Sequence, residues 1–476
     1  MSTKKLILAG TAFVAMVLTS PAFAGGFQRS IADTDILFEK GTFASRLGAT
    51  YVKPNRGFET INGVSGDFGD YTGKYGLPSA AFYVGSDVFG CAANYVESFA
   101  AEGDYDFSPG GALPRQVSAT TDGRPVADAA RTRLTDATSQ NYSRTLGTDF
   151  DSEEFSGTCR ASYSTETMRF SLIGGVFAED IDFNGQSYGE RSLNNAFLAN
   201  PATRPIIGGV NLISPGGRLV LPSRVDVDTE GDYELGFRIG AAVEMPEIAL
   251  RVQALYRSEV DHTDITGGGT VTITGPAYIL TPDQRQIALS GTLAGGTAGV
   301  LALQGLTPGT VIPITSTLND STSPQYLQLN AQTGIAPGTL LLGSFRWTDW
   351  STNKSVISTI SSAATGTSSS YSPYNWRDGY TASLGLGRAF NDQVSGAITL
   401  GYDRGVSTGS DTTYTDLYTI SAGVSYKPAS WSEIRLGGLV GFWSDGEQKI
   451  SEGAFFDAAV GNDRIYGATA SVKFTF

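Results

Sequence analysis

The feature that most constrains this chain is a period-two alternation of apolar and polar residues, repeated along nearly its whole length. In the last segment Tyr466, Ala468, Ala470, Val472, Phe474 and Phe476 share one face, and Gly467, Thr469, Ser471, Lys473 and Thr475 the other. Tyr418, Ile420, Ala422, Val424 and Tyr426 alternate with Thr419, Ser421, Gly423 and Ser425. Ile248, Leu250, Val252, Ala254 and Tyr256 alternate with Arg251, Gln253 and Arg257. Such segments approach the length that crosses a bilayer at a tilt, about 9–11 residues. The pattern predicts fourteen strands: 43–53, 78–84, 88–100, 155–164, 167–179, 232–244, 247–260, 324–335, 339–360, 379–390, 393–404, 415–427, 431–443 and 464–476.

The connections between these segments alternate strictly in length. The short ones are Gly85-Ser86-Asp87, Thr165-Glu166, Met245-Pro246, Ala336-Pro337-Gly338, Asn391-Asp392 and Pro428-Ala429-Ser430. The long ones cover 54–77, 101–154, 180–231, 261–323, 361–378, 405–414 and 444–463. Short periplasmic turns and long extracellular loops are the outer-membrane pattern, and an even strand count returns both chain ends to the periplasm. A secreted soluble all-β protein also alternates along its strands, but it has no reason to alternate its loop lengths. The expected fold class is therefore all-β: a transmembrane antiparallel β-barrel over 43–476, in the outer membrane of a Gram-negative bacterium.

The first 24 residues read as a secretory leader. Lys4 and Lys5 precede an apolar run from Leu6 to Leu18, and Pro21-Ala22-Phe23-Ala24 supplies small residues for cleavage after Ala24. No later stretch is apolar enough for a membrane helix, so a chain that enters lipid must do so as a closed barrel. The formal net charge is −14, which excludes nucleic acid as a natural partner. One His and two Cys leave no metal-ligand spacing, and no cofactor is expected. His262 lies beside Asp261 and Asp264 but has no Gly-x-Ser-x-Gly companion, so it reads as a solvated loop residue and the chain as no enzyme.

Residues 25–42 do not alternate and are long enough to enter the barrel mouth as a plug. A disordered periplasmic tail is the plainer account. Loop 261–323 is unusually apolar through Ile279, Leu280, Ile287, Leu289, Leu293, Val300, Leu301 and Leu303. That content suits a helix or hairpin folded over the mouth, or a binding surface. Cys91 and Cys159 fall on adjacent predicted strands and one face, so a cross-strand disulfide and two free thiols are both compatible with the spacing. Tyr51, Tyr95, Tyr163, Tyr256, Trp347, Tyr380, Tyr402 and Phe442 fall where an interfacial aromatic girdle would lie.

Several segments resemble the FadL/TodX family of outer-membrane proteins, which carries long-chain fatty acids and other hydrophobic molecules. Residues 232–260 resemble that family's hairpin ending in Tyr-Arg-Ser, here Tyr256-Arg257-Ser258. Residues 339–351, with Trp347, Trp350 and Ser351, are similar to its aromatic strand ending in Trp-Ser. Asn375-Trp376-Arg377-Asp378 and the hairpin after it follow in order, and Leu77-Pro78-Ser79 and Phe27-Gln28 match more weakly. Where the family often carries Asn-Pro-Ala between plug and first strand, this chain has Ile36-Leu37-Phe38-Glu39-Lys40.

The resemblance implies a monomeric, plugged, fourteen-stranded barrel that moves hydrophobic compounds passively, most readily long-chain fatty acids. It also implies an outer access site, an inner pocket and lateral release into lipid. Its partners would be those compounds, outer-membrane lipid and lipopolysaccharide, and the barrel-assembly machinery. A general porin for small hydrophilic solutes, and a lipid hydrolase using His262, are the rival readings. By parity Arg46, Arg160, Arg169, Arg238, Arg251, Arg257, Arg346 and Arg435 face inward, with Glu234, Glu244 and Glu259. Guanidinium forks match carboxylates, so Arg251, Arg257 and Arg346 are the headgroup candidates and Phe27 the plug candidate. Barrel interiors commonly pair such arginines with acids instead.

Overall fold

The computed structural model describes residues 26–105, 116–117, 142–364 and 366–476. The leader read over residues 1–24 lies outside them. Among the described residues, fourteen antiparallel strands form the barrel. They are β1 (Phe43–Asn55), β2 (Tyr75–Gly85), β3 (Phe89–Asp104), β4 (Tyr142–Ser164), β5 (Arg169–Glu179), β6 (Glu234–Met245) and β7 (Leu250–Arg257). The second half comprises β8 (Tyr326–Ala336), β9 (Thr339–Thr348), β10 (Gly379–Ala389), β11 (Val394–Arg404), β12 (Leu417–Ala429), β13 (Ser432–Trp443) and β14 (Arg464–Thr475). Each pairs with its neighbour, and β14 returns to β1 through Arg46↔Lys473 and Leu47↔Val472. Closure leaves no open edge in lipid.

The alternation is the mark of two solvents. Leu172, Val176, Leu235, Leu384, Leu400 and Leu436 are exposed on the outer wall, while Arg160, Arg238 and Arg257 are buried inside. Exposed aromatics sit towards both ends of the wall: Phe89, Tyr163, Phe390 and Trp431 by the short turns, Tyr51, Tyr418, Phe442 and Tyr466 by the loops. This is the girdled apolar band of a membrane barrel. The short turns close locally. Ser86 Oγ accepts from the Phe89 N–H at 3.2 Å, Thr165 Oγ1 from Met168 at 3.0 Å and Asn391 Oδ1 from Val394 at 2.8 Å. Gly338 takes the left-handed conformation, φ 69°, that the turn before β9 needs.

Two boundaries differ most from the sequence pattern, and the first is the start of the fourth strand at Tyr142 rather than 155. The ninth strand stops at Thr348 rather than 360, because a 3-10 turn at Trp350–Thr352 interrupts it. Residues Ser355–Ser362 form a separate strand in the outer loops. Those loops are not irregular. The outer half of β4 pairs with Asp182–Ser192, which pairs with Arg218–Glu230. Thr266–Ile273, Val311–Leu318, Ser355–Ser362 and Gly366–Pro373 continue this wall. Helices α1 (Asn194–Ala199), α2 (Arg204–Ile213) and α3 (Gly291–Leu303) cover it. Their apolar residues Phe197, Ile207, Val210 and Leu301 pack with Leu219 and Ile279, which accounts for much of the apolar content of loop 261–323.

Cys91 and Cys159 stand directly opposite on β3 and β4 and are joined, with their sulfurs 2.09 Å apart. Alkylation followed by mass spectrometry is expected to label neither cysteine before reduction and both after it. Labelling of both without reductant would count against the bridge.

Candidate functional site

The segment Gly26–Thr42 threads the lumen from the loop end to the turn end. Near the turns Asp33 caps a short 3-10 helix, Thr34–Phe38, by accepting from the Ile36 N–H at 3.2 Å. Ile36 and Leu37 are fully buried against Ala44, Ala81, Ile173 and Leu255 of the wall. Charge fastens the same turn. Glu39 bonds Arg46 at 3.0 Å and Lys473 at 2.9 Å, and Asp35 bonds Arg251 at 2.7 Å. The stretch that departs from the family pattern is therefore the foot of the plug.

At the other end, Phe27 lies in an aromatic cage. Its ring centroid is 4.7 Å from Trp376, 5.2 Å from Phe150, 5.7 Å from Tyr374 and 5.9 Å from Tyr414. Trp350 bridges Phe99 at 5.9 Å and Trp376 at 5.3 Å. Offset and edge-on rings at these spacings attract beyond the area they bury. Gly26 is obligatory here: φ is 67°, and a Cβ would fall 2.6 Å from the Trp350 indole. A cavity of about 240 Å³ opens among Phe27, Phe99, Phe150, Trp350, Tyr374 and Tyr414 and extends to Tyr71, Tyr75, Trp443 and Phe456, with Trp376 packed behind Phe27. Asp411 in its lining is tied on two sides. The Trp376 Nε1–H donates to Asp411 at 2.7 Å, and Ser407 Oγ donates to the same carboxylate at 2.6 Å. Burial raises the Asp411 carboxyl above its ordinary range and pushes the Tyr414 phenol up to about 12. Tyr414 stays protonated and accepts from Arg29 Nη2 at 2.9 Å.

Outward, the cage meets a vestibule of about 550 Å³ between the wall strands, with Thr145, Thr148, Phe183, Val356, Ser372 and Tyr374 lining both spaces. Inward, the wall beside the cage is interrupted. The β2–β3 ladder ends at Ser79↔Val96, although β3 runs on to Asp104. The β3–β4 register also slips between Glu97 and Phe99. The freed edge of β3 is taken by the plug. Ser98 O accepts from the Arg29 N–H at 2.8 Å, and the Ala100 N–H donates to Phe27 O at 2.9 Å.

The inward arginines fall into two groups. Arg257 is buried between Glu179 and Glu154, the latter at 3.4 Å and shared with Arg238. Arg251 is held by Asp35, Arg169 by Glu244 at 2.7 Å and Arg435 by Glu433 at 2.7 Å. Of the three headgroup candidates, only Arg346 has no ion-pair partner among the described residues. Glu259 lies past the end of β7 and is exposed rather than inward. His262 is not a solvated loop residue. It is fully buried, 3.3 Å from Ser323 Oγ and 3.5 Å from Glu179, because 260–262 pairs with 321–323 inside the wall. Ser323 and Glu179 both meet Nε2 rather than opposite ring nitrogens, so the three groups do not form a serine–histidine–acid relay.

A closed, even-stranded barrel with an apolar belt, a charged lumen and an N-terminal plug under an aromatic pocket defines a plugged β-barrel of the outer-membrane type. More particularly, the fold is that of the FadL/TodX channels. A Pseudomonas aeruginosa FadL homologue superposes with TM-score 0.59 at 15% identity, covering 93% of this chain and 92% of that one. The CymD monoaromatic hydrocarbon channel gives 0.56 at 13% identity over 93% and 90%. The Pseudomonas putida toluene transporter TodX gives 0.55 at 12% identity over 93% and 92%. No protein-family profile and no curated protein matches the sequence.

The cage was only partly visible in the sequence. Trp350 and Trp376 sit in segments that carried the family resemblance, but Phe99, Phe150 and Tyr414 do not stand out by period or motif. They meet because plug, barrel wall and two loops converge on Phe27.

Proposed function

We propose that the protein is a passive outer-membrane channel for hydrophobic compounds, with long-chain fatty acids the first class to test. One observation carries this reading: an apolar path runs from the vestibule to the cage and ends at a gap in the barrel wall sealed by Phe27–Ser30. Ligand would collect in the vestibule, settle among the rings, and leave sideways between β2 and β3 when the plug strand releases β3. Ser98 lies nine residues beyond the start of β3, which places the gap towards the outer leaflet by the span rule of about 9–11 residues. Lateral release spares an apolar solute the polar lumen below. The Cys91–Cys159 bridge holds β3 to β4 between the gap and the turns, so opening need not unzip that pair. The barrel acts as a monomer set in lipid and lipopolysaccharide after insertion by the assembly machinery, and it catalyses no reaction. A general porin would need an open lumen, and the plug argues against one.

Burial of methylene or ring carbon supplies most of the affinity, about 0.8 kcal/mol per buried CH2. Binding of dodecanoate, dodecanol and dodecane to the purified barrel in mild detergent tests the class. Comparable binding of all three fits a cage that reads apolar surface; preference for the acid adds a headgroup site; no binding of any overturns the reading. Trp350→Ala, at a ring that lines the cavity, is expected to weaken all binders by about tenfold or more, the value of one lost aromatic contact with its buried area. Unchanged affinity in that variant would move the site away from the cage.

A further inference from the structure

Below Arg29 lies a second cavity, of about 190 Å³, between the plug and the walls of β1, β2, β3, β8, β9, β13 and β14. Its chemistry is the opposite of the cage. Arg29, Arg46, Arg346 and Arg435 line it, and each leaves one buried nitrogen without a hydrogen-bond partner. Asn94, 5% exposed, also lines it, with neither side-chain amide atom bonded. The arginines are not equivalent. Arg46 is engaged by Asp33 and Glu39, and Arg435 by Glu433. Arg29 bonds only neutral oxygens: Gly26 O at 3.0 Å, Gln28 O at 3.2 Å and the Tyr414 hydroxyl. Arg346 has no hydrogen bond or ion pair among the described residues. Asp403 acts on it only through its field, and the Tyr326 ring stands 5.9 Å away.

Arg346 is half-buried with its Nε enclosed, and guanidinium groups drawn out of water are normally matched by carboxylates, because an unpaired buried charge is costly. Here Arg29, Arg46, Arg251, Arg346, Arg435 and Lys473 gather around Asp33, Asp35, Glu39, Glu433 and the buried Asp403. This part of the lumen thus carries a small excess of positive charge inside a chain whose net charge is −14. We propose that this chamber is an anion site that takes a single carboxylate. The Arg346 fork would receive it, with Asn94 and the spare N–H groups of Arg29, Arg46 and Arg435 around it. The site is distinct from the cage and does not depend on the transport reading, although Arg29 borders both spaces.

The test is saturation-transfer NMR on the full barrel in detergent, with propionate as probe and propionamide as its neutral match. Propionate should give a saturable signal that formate displaces, and propionamide none. Arg346→Gln should weaken propionate by about tenfold or more, the worth of a charge-assisted pair, and Arg346→Lys should recover part of it. Heat-modifiable gel mobility checks that each variant is folded. Should Arg346→Gln fail to fold, Asn94→Ala carries the same comparison. Displacement by dodecanoate would identify the ligand as the head of a larger amphipathic molecule; indifference to it would identify a free small anion, and either keeps the site. Equal signals from propionate and propionamide, or unchanged affinity in Arg346→Gln, would mean that the chamber holds only water, and the proposal falls. Quenching of cage tryptophans by naphthalene is read in parallel. Its loss with propionate binding intact would remove the transport reading and leave the anion site standing.

Discussion

Deleting Gly26–Lys40, with residues 1–25 retained, is expected to turn a closed barrel into an open conductor. The plug occupies the lumen along its height, from Phe27 in the cage to Glu39 beside Lys473. Eight-stranded barrels fill their interiors with side chains, whereas 16–18 strands leave an aqueous channel. Fourteen strands fall nearer the second case, so the wall alone does not close the pore. Single-channel conductance in planar bilayers should rise by about tenfold or more, and hydrophilic solutes should leak into loaded vesicles. The barrel should still insert, because its closing ladder between β14 and β1 does not involve the plug. It should be less stable by the burial of Ile36 and Leu37, about 1.5–3 kcal/mol for each side chain. A deletion variant that conducts no better than the parent would show that the loops, not the plug, close the pore.

Replacing Arg257 with Met should be among the most destabilising single changes in the wall. Arg257 bonds Glu179 and lies 3.4 Å from Glu154, and all three side chains are at most 2% exposed. Glu179 also accepts from Ser98 Oγ at 2.9 Å, so the cluster braces β3, β5 and β7 just beside the gap. Removing the guanidinium leaves buried carboxylate charge behind, which costs about 3–5 kcal/mol. Urea unfolding of the reconstituted barrel, followed by tryptophan fluorescence, measures this. Adding Glu179→Gln to Arg257→Met should restore part of the loss, because the orphaned charge goes with it. A loss under about 1 kcal/mol in the single variant would reduce the cluster to a solvated pair.

What was legible in the sequence follows from where each constraint acts. A lipid boundary imposes period two on every strand independently, so Ile420, Leu436 and Tyr466 announce their faces from local context alone. The same boundary sets strand length, and short turns such as Ser86-Asp87 and Asn391-Asp392 close through bonds to near neighbours. Fourteen strands and the inward direction of the arginines could therefore be read residue by residue. Above the rim no lipid boundary exists. There the wall strands 182–192, 218–230 and 266–273 pair with the outer half of β4 and with other loop strands, and their sequences look like long loops.

The tertiary structure alone decided which charges are spent and which remain. Arg251, Arg257 and Arg346 look alike along the chain, each inward on a strand. Asp35 and Glu179 reach the first two from 216 and 78 positions away, and Lys473 meets Glu39 across 434. Barrel closure makes those meetings, and no local pattern encodes them. The gap between β2 and β3 is of the same kind, since both strands alternate normally and only their register shows where pairing stops. The alternation of this sequence fixed a membrane barrel; the closure of that barrel decided where a ligand can sit and by which side it can leave.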